Sequence, residues 1–226
     1  MNKNRFSLAA VLAAASVLAG CATPPPPYDY AAFQRAKPAT LLVMPPLNDS
    51  PDVKATPAMW ASATLPLAEA GYYVLPVTLV DETFRQNGVE TASDAQEIPL
   101  PKLRDFFGAD AAVYIKVTKY GTSYAVVSSE TRVEAEAKVV DLRSGELLWQ
   151  GKAAASSAEQ QQQNQGGLIG LLVAAVVKQI IGTASDAAYN YAGIASGRLL
   201  GAPRYNGMLA GPRSPYFGKP VPATVR

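Results

Sequence analysis

Apolar and polar positions alternate in two different rhythms along this chain, and the change of rhythm divides it. The first apolar run, Leu41-Leu42-Val43-Met44, is closed by Pro45-Pro46 and reads as a buried strand that leaves its sheet there, since proline cannot donate to a ladder. Thr56 before Pro57 marks a helix start, with Trp60, Ala63 or Thr64, and Leu67 on one face, a kink expected at Pro66 and a stop at Gly71. Tyr72-Tyr73-Val74-Leu75 is a second strand. Asp81 is placed to cap a helix carrying Phe84, which Asn87-Gly88 ends, and a shorter helix over 101–107 stops at Gly108.

From residue 111 the rhythm shortens to that of consecutive strands. Residues 111–119 are apolar-rich, 123–128 follow a turn expected at Gly121, and 131–140 alternate Val133, Ala135, Ala137 and Val139 with Arg132, Glu134, Glu136 and Lys138. Strict alternation predicts one wet face. Residues 141–146 form a hairpin turn with Gly145 in the left-handed position, leading into Leu147-Leu148-Trp149. Helix-linked strands tend to be parallel and hairpin-linked ones antiparallel. The economical fold is therefore α/β, a single mixed-sheet domain over 39–200 in the order β-α-β-α-α-β-β-β-α.

Beyond a small, polar stretch with four consecutive glutamines at 160–163 comes the most apolar run outside the first twenty residues. Leu168, Ile169, Leu171, Leu172, Val173, Val176 and Val177 sit in a segment without a polar side chain, closed by Lys178. Three readings compete: a helix buried against the sheet, an interface for a partner or a second copy, and insertion into a membrane. The run is short of a membrane span and apolar on all sides, so these seven residues are the candidate interface. Farther on, Ile180 or Ile181, Ala184, Ala188, Tyr191, Ile194 or Ala195, and Leu199 form one helical stripe, and Gly193 and Gly197 offer a place for close backbone approach.

The start of the chain has its own pattern: a basic head with Lys3 and Arg5, an uncharged run over 6–18, then Ala19-Gly20-Cys21. This is an export signal, too short in its apolar part to remain as a transmembrane helix. Leu18-Ala19-Gly20-Cys21 resembles the bacterial lipobox, which implies removal of residues 1–20 and diacylglycerol on Cys21, the only Cys in the chain. Ala22, where Gram-negative sorting reads Asp as a retention signal, points to the outer membrane. Residues 21–38, with Pro24 to Pro27 in a row, read as a stiff linker able to hold the domain up to roughly 50 Å from the bilayer at about 3.1 Å per residue.

Charge and composition then narrow the function. Without residues 1–20 the chain holds 18 basic and 18 acidic residues. Residues 201–226 carry Arg204, Arg213, Lys219 and Arg226 with no acid, and read as a disordered, solvated basic tail. No dense basic face suggests nucleic acid. The chain has no His and no Cys besides Cys21, and neither a G-x-S-x-G nor a phosphate-loop motif, so no enzyme, metal or cofactor is expected. The best place for a small-ligand site is Asn48-Asp49-Ser50 after the first strand, against the plainer reading of a turn. Asp81 and Glu82 likewise read as a helix start, not a carboxylate pair.

Several stretches together resemble a family of Gram-negative lipoproteins of unknown function: the lipobox with Pro24 to Tyr30, Leu42-Val43-Met44-Pro45-Pro46-Leu47-Asn48-Asp49-Ser50, the segment 66–77, and the Asp-x-x-x-Gly-Glu-x-x-Trp hairpin at 141–149. The hairpin is also similar to that of CsgG- and LpoB-like envelope proteins, whose domains resemble the amino-terminal domain of TolB. The resemblance implies a TolB-like α/β domain in the periplasm, tethered to the outer membrane. It implies an envelope protein as partner, CsgG-like or a related lipoprotein, with a homo-oligomer as the other association. It brings no catalytic residue. The function expected is that of a non-enzymatic accessory of envelope assembly or secretion; the alternative is a subunit of an oligomeric CsgG-like secretion pore.

Overall fold

The computed structural model describes residues 26–125, 128–159 and 187–221. Its elements in chain order are α1 (Ala31–Ala36), β1 (Thr40–Val43), β2 (Leu47–Asn48), α2 (Ala55–Glu69), β3 (Tyr73–Val74), α3 (Val77–Gln86), α4 (Ala92–Gln96), α5 (Leu100–Phe107), β4 (Ala111–Ala125), β5 (Ser128–Asp141), β6 (Leu147–Ser156) and α6 (Ala187–Leu200). The strands form one mixed sheet in the order β3-β1-β4-β5-β6, with β2 also paired to β4. The fold is thus the expected mixed α/β domain.

β1 lies parallel to both β3 and β4, with Leu41 opposite Val74 on one side and Ala111 on the other. Flanked on both sides, Leu41, Leu42 and Val43 are wholly buried, which is why the run has no polar alternation. Pro45-Pro46 does not take the chain out of the sheet, contrary to expectation. The chain steps past the prolines and pairs again as β2, Leu47 opposite Lys116 and Asn48 opposite Val117.

β4 and β5 form a long antiparallel hairpin, from Ala111↔Asp141 to Ala125↔Ser128. Gly121 was expected to turn the chain. Instead the strand runs through it at φ 124°, a conformation glycine alone adopts cheaply, with Gly121 opposite Arg132. Along β5 the alternation holds: Val133, Ala135, Ala137 and Val139 are buried, while Glu136 and Lys138 are exposed and Arg132 and Glu134 partly so. Gly145 closes the next turn at φ 74°, with the Asp141 carboxylate accepting the Arg143 and Ser144 amides.

The buried side of the hairpin is covered by α6, which also packs on α2. Ala188, Tyr191 and Leu199 form its buried stripe as expected, with Ala195 and not the more exposed Ile194 on it, joined by Ala192, Ser196 and Leu200. Among the described residues, a Cβ on Gly193 or Gly197 would meet no atom within 4 Å outside its own helix, so no described backbone approaches closely there. The contact with α2 is polar and specific. Pro66 has no amide to bond the Ser62 carbonyl one turn back, and that carbonyl instead accepts the buried Ser196 hydroxyl at 3.0 Å.

Three further expectations are corrected. α3 starts at Val77 behind Pro76, so Asp81 lies inside the helix, paired with Arg85 at 3.2 Å, and caps nothing. α4 was missed, although Thr91 caps it through the Asp94 amide in a Thr-x-x-Asp pattern. Most consequentially, the folded unit extends past 39–200 at both ends. Phe33 on α1 is in the core, Met208 is fully buried, and residues 211–214 run as a strap against the end of α2. The strap docks through its backbone: the Gly211 amide donates to Ala70 and that of Arg213 to Gly71. A Cβ on Gly211 would overlap the Gly71 carbonyl, so the contact needs glycine.

Candidate functional site

Asn206 fixes the start of the N-terminal segment, Pro26 and Tyr28, to the domain. Its side-chain carbonyl accepts the Tyr28 amide at 2.9 Å and its side-chain amide donates to the Pro26 carbonyl at 2.9 Å, while its backbone carbonyl accepts the Trp149 indole at 3.0 Å. Asn206 holds φ 52°, a left-handed turn that suits the Asn-Gly dipeptide. Next to it the Tyr30 hydroxyl donates to the Gly207 carbonyl at 2.6 Å, and the Tyr28 and Tyr30 rings pack with centroids 5.1 Å apart. Burial, then the neighbouring Tyr28 and Tyr205 phenols, raises the Tyr30 hydroxyl to about 12. Burial likewise holds the Tyr72 hydroxyl, which donates to Leu209, far above the ordinary phenol range.

This clamp sits at one end of the sheet. Trp149 and Gln150 lie near the start of β6, where β1, β3 and β4 also begin. α1 reaches across to the same end, its Arg35 paired with Glu146 at 2.6 Å. At the other end, six residues from Gln150 and about 20 Å away at the usual rise per strand residue, lies Ser156. The described chain stops there at Glu159, which pairs with Arg198 at 2.7 Å, and resumes at Ala187.

Between the two ends the uncovered face of β4, β5 and β6 carries charges that pair among themselves. Lys116 meets Asp49 at 2.7 Å, and Arg132 bridges Glu130 and Glu134. The Ser156 hydroxyl, with Arg132, holds the Glu130 carboxyl below its ordinary value. Desolvation pushes Glu134 up, but Arg132 and Lys119 outweigh it and the net shift is downward. Lys138 lies 5.0 Å over the Tyr114 ring. Such a face offers both signs of charge, in pairs, at its surface.

Of the residues singled out from sequence, Cys21 and all seven of the candidate interface (Leu168, Ile169, Leu171, Leu172, Val173, Val176, Val177) lie outside the described residues. Asn48, Asp49 and Ser50 come together as a turn. Asn48 accepts the Ser50 amide and hydroxyl and donates to the Asp52 carbonyl, and Asp49 is taken by Lys116. Among the described residues no group of three or more His, Cys, Asp or Glu is placed to hold a metal, and no helix is long and apolar enough to cross a membrane. Asn206 is the site residue that sequence reasoning missed; its only signal was the Asn-Gly pair.

Residues 28–213 match the sequence profile of a family described as "Putative lipoprotein GNA1162-like". The matched span takes in Tyr28 and Asn206 of the clamp and the strap as far as Arg213. The chain is 46% identical over 209 residues to "Putative lipoprotein NMB1124/NMB1162" of Neisseria meningitidis serogroup B, covering 92% of this chain and 94% of that one. It is similar to the crystal structure of lipoprotein GNA1162 from Neisseria meningitidis, with 49% identity, a TM-score of 0.51, and coverage of 65% of this chain and 100% of that one. The LpoB C-terminal domain from Salmonella enterica is similar at 18% identity and a TM-score of 0.38, over 52% of this chain and 82% of that one.

Proposed function

The chain belongs to the GNA1162-like family of lipoproteins, and from that premise we propose that it is an outer-membrane lipoprotein, lipidated on Cys21, whose periplasmic domain is a non-enzymatic interaction module. Its partner is an envelope protein of an assembly or secretion system, of the CsgG-like kind that the sequence resemblance implies. The observation that carries the reading is the polarity of the domain. Only residues 22–25 separate Cys21 from the clamped Pro26, whereas the chain departs toward the apolar run at 168–177 from the far end of β6. A domain held by one end offers the other to a partner. The Asn48–Ser50 turn, with its polar groups already committed, gives the small-ligand alternative no support.

The experiment is crosslinking of the lipidated protein in intact envelopes, comparing the unaltered chain with Leu172→Asp and Val176→Asp. The reading predicts a defined crosslinked complex that both variants lose while keeping the unaltered circular dichroism and Tm. An unchanged complex refutes it. Variants that fail to fold make the run a core element instead.

A further inference from the structure

Resting on the lipid-anchor reading, we propose that the clamp-and-strap end of the domain lies directly on phospholipid headgroups, with Arg204, Arg213, Tyr216, Phe217 and Lys219 as its contacts. The chain length sets the distance. From Cys21 to Pro26 are five residue steps, mostly prolines, or about 16 Å at the polyproline rise, and the headgroup layer itself takes up roughly 5–8 Å of that. Pro26 is hydrogen-bonded to Asn206, two residues from the exposed Arg204, so this loop is held close above the lipid phosphates.

Topology brings the rest of the surface to the same end. The strap is bonded to Ala70 and Gly71 just before β3, and the groove beyond it is lined by Phe33 and Lys37 of the segment leading into β1. Tyr73, Tyr216 and Phe217, 50%, 51% and 44% exposed, are grouped about the strap. Arg213 lies 5.7 Å over Tyr73 and Lys219 5.5 Å over Tyr216. Rings with cations beside them match a layer that is apolar beneath and anionic above.

Charge complementarity points the same way. Residues 201–221 hold three cations and no acid. Of the acids nearby, Glu146 pairs with Arg35 and Asp110 with Arg143, and Asp141 is taken by its own turn, while Asp29, which accepts the Ala31 amide, and Glu69 are exposed. The basic part of this end is residues 201–221 themselves, and an anionic leaflet attracts them.

The test uses the chain from Cys21 onward, coupled through that single thiol to maleimide-headgroup lipid in phosphatidylglycerol-containing vesicles. Phe217→Trp and Tyr216→Trp place a reporter on the strap, and Val53→Trp, 85% exposed in the loop before α2, serves as the far control. A headgroup-nitroxide lipid is expected to quench the strap reporters about twofold beyond the buried Trp60 and Trp149 background, and to leave the Val53 reporter unchanged. Each reversal among Arg204→Glu, Arg213→Glu and Lys219→Glu lowers the docked-to-undocked ratio about fivefold, and roughly 0.5 M salt abolishes docking. Equal quenching at both ends, or none at the strap, overturns the proposal, as does strap burial only when a protein partner is added. Coupling here is chemical, so the result is independent of whether cells lipidate Cys21, which is read separately from the mass of the exported protein.

Discussion

Asn206→Ala is the perturbation that loads the clamp most directly. It deletes the acceptor of the Tyr28 amide and the donor to the Pro26 carbonyl, and it puts alanine at φ 52°. Each lost hydrogen bond costs about 0.5–1.5 kcal/mol, and a non-glycine, non-asparagine residue in the left-handed region about 1 kcal/mol more. Both bonds are at least partly exposed, so the lower half of that range applies and about 2–3 kcal/mol of stability should be lost. Asn206→Gly separates the contributions, because glycine accepts the backbone angle and leaves only the missing bonds, about 1–2 kcal/mol. The assay is urea unfolding followed through Trp149, whose indole donates to the Asn206 carbonyl, together with hydrogen exchange at the Tyr28 amide. Alanine is expected to destabilise more than glycine, and both to speed exchange at Tyr28. A loss below about 0.5 kcal/mol with unchanged exchange would show that residues 26–30 are not held by Asn206, and the short-tether argument would fall with it.

Met208→Ala should cost about 2–4 kcal/mol in the same unfolding assay, since the side chain is fully buried; a solvated tail would give no change. Ser196→Ala should cost about 1–2 kcal/mol by leaving the part-buried Ser62 carbonyl without a donor, and much less in a Pro66→Ala background, where the restored helix amide supplies one. Tyr30 and Tyr72 ionise at higher pH when folded than when unfolded, the former at about 12. The unfolded chain releases these protons first, so stability is intact below the ordinary phenol value of 10.0 and declines as pH rises through about 12. Thermal unfolding across that window is expected to show a shallower decline for Tyr30→Phe.

What the sequence displayed well were elements with a period or a punctuation mark. The apolar run of β1, the alternation of β5, the Gly108 and Gly145 stops and the stripe of α6 all follow from residues that repeat or end something. The ends were illegible because they are held without periodicity. One ring, Phe33, and one thioether, Met208, enter the core there, and the strap adheres through backbone bonds made possible by Gly71 and Gly211. Composition rich in Pro and Gly then resembles a solvated tail although it is a packed one. Gly121 misled for a related reason, since a glycine in an extended strand at positive φ has the same letter as one in a turn. At the candidate site, the spacing of Cys21 was readable, but the partner that fixes its tether lies 180 residues from Pro26, beyond any local pattern.

The central claim is that Cys21 is the point of attachment and that the domain begins almost at the bilayer. Intact mass of the protein extracted from outer membranes tests it most directly. The account predicts a chain starting at Cys21 that carries diacylglycerol and an amide-linked acyl chain, and a Cys21→Ser variant that keeps its first twenty residues and gains no lipid. A mature chain starting at any other residue, or one with an unmodified Cys21, would contradict it.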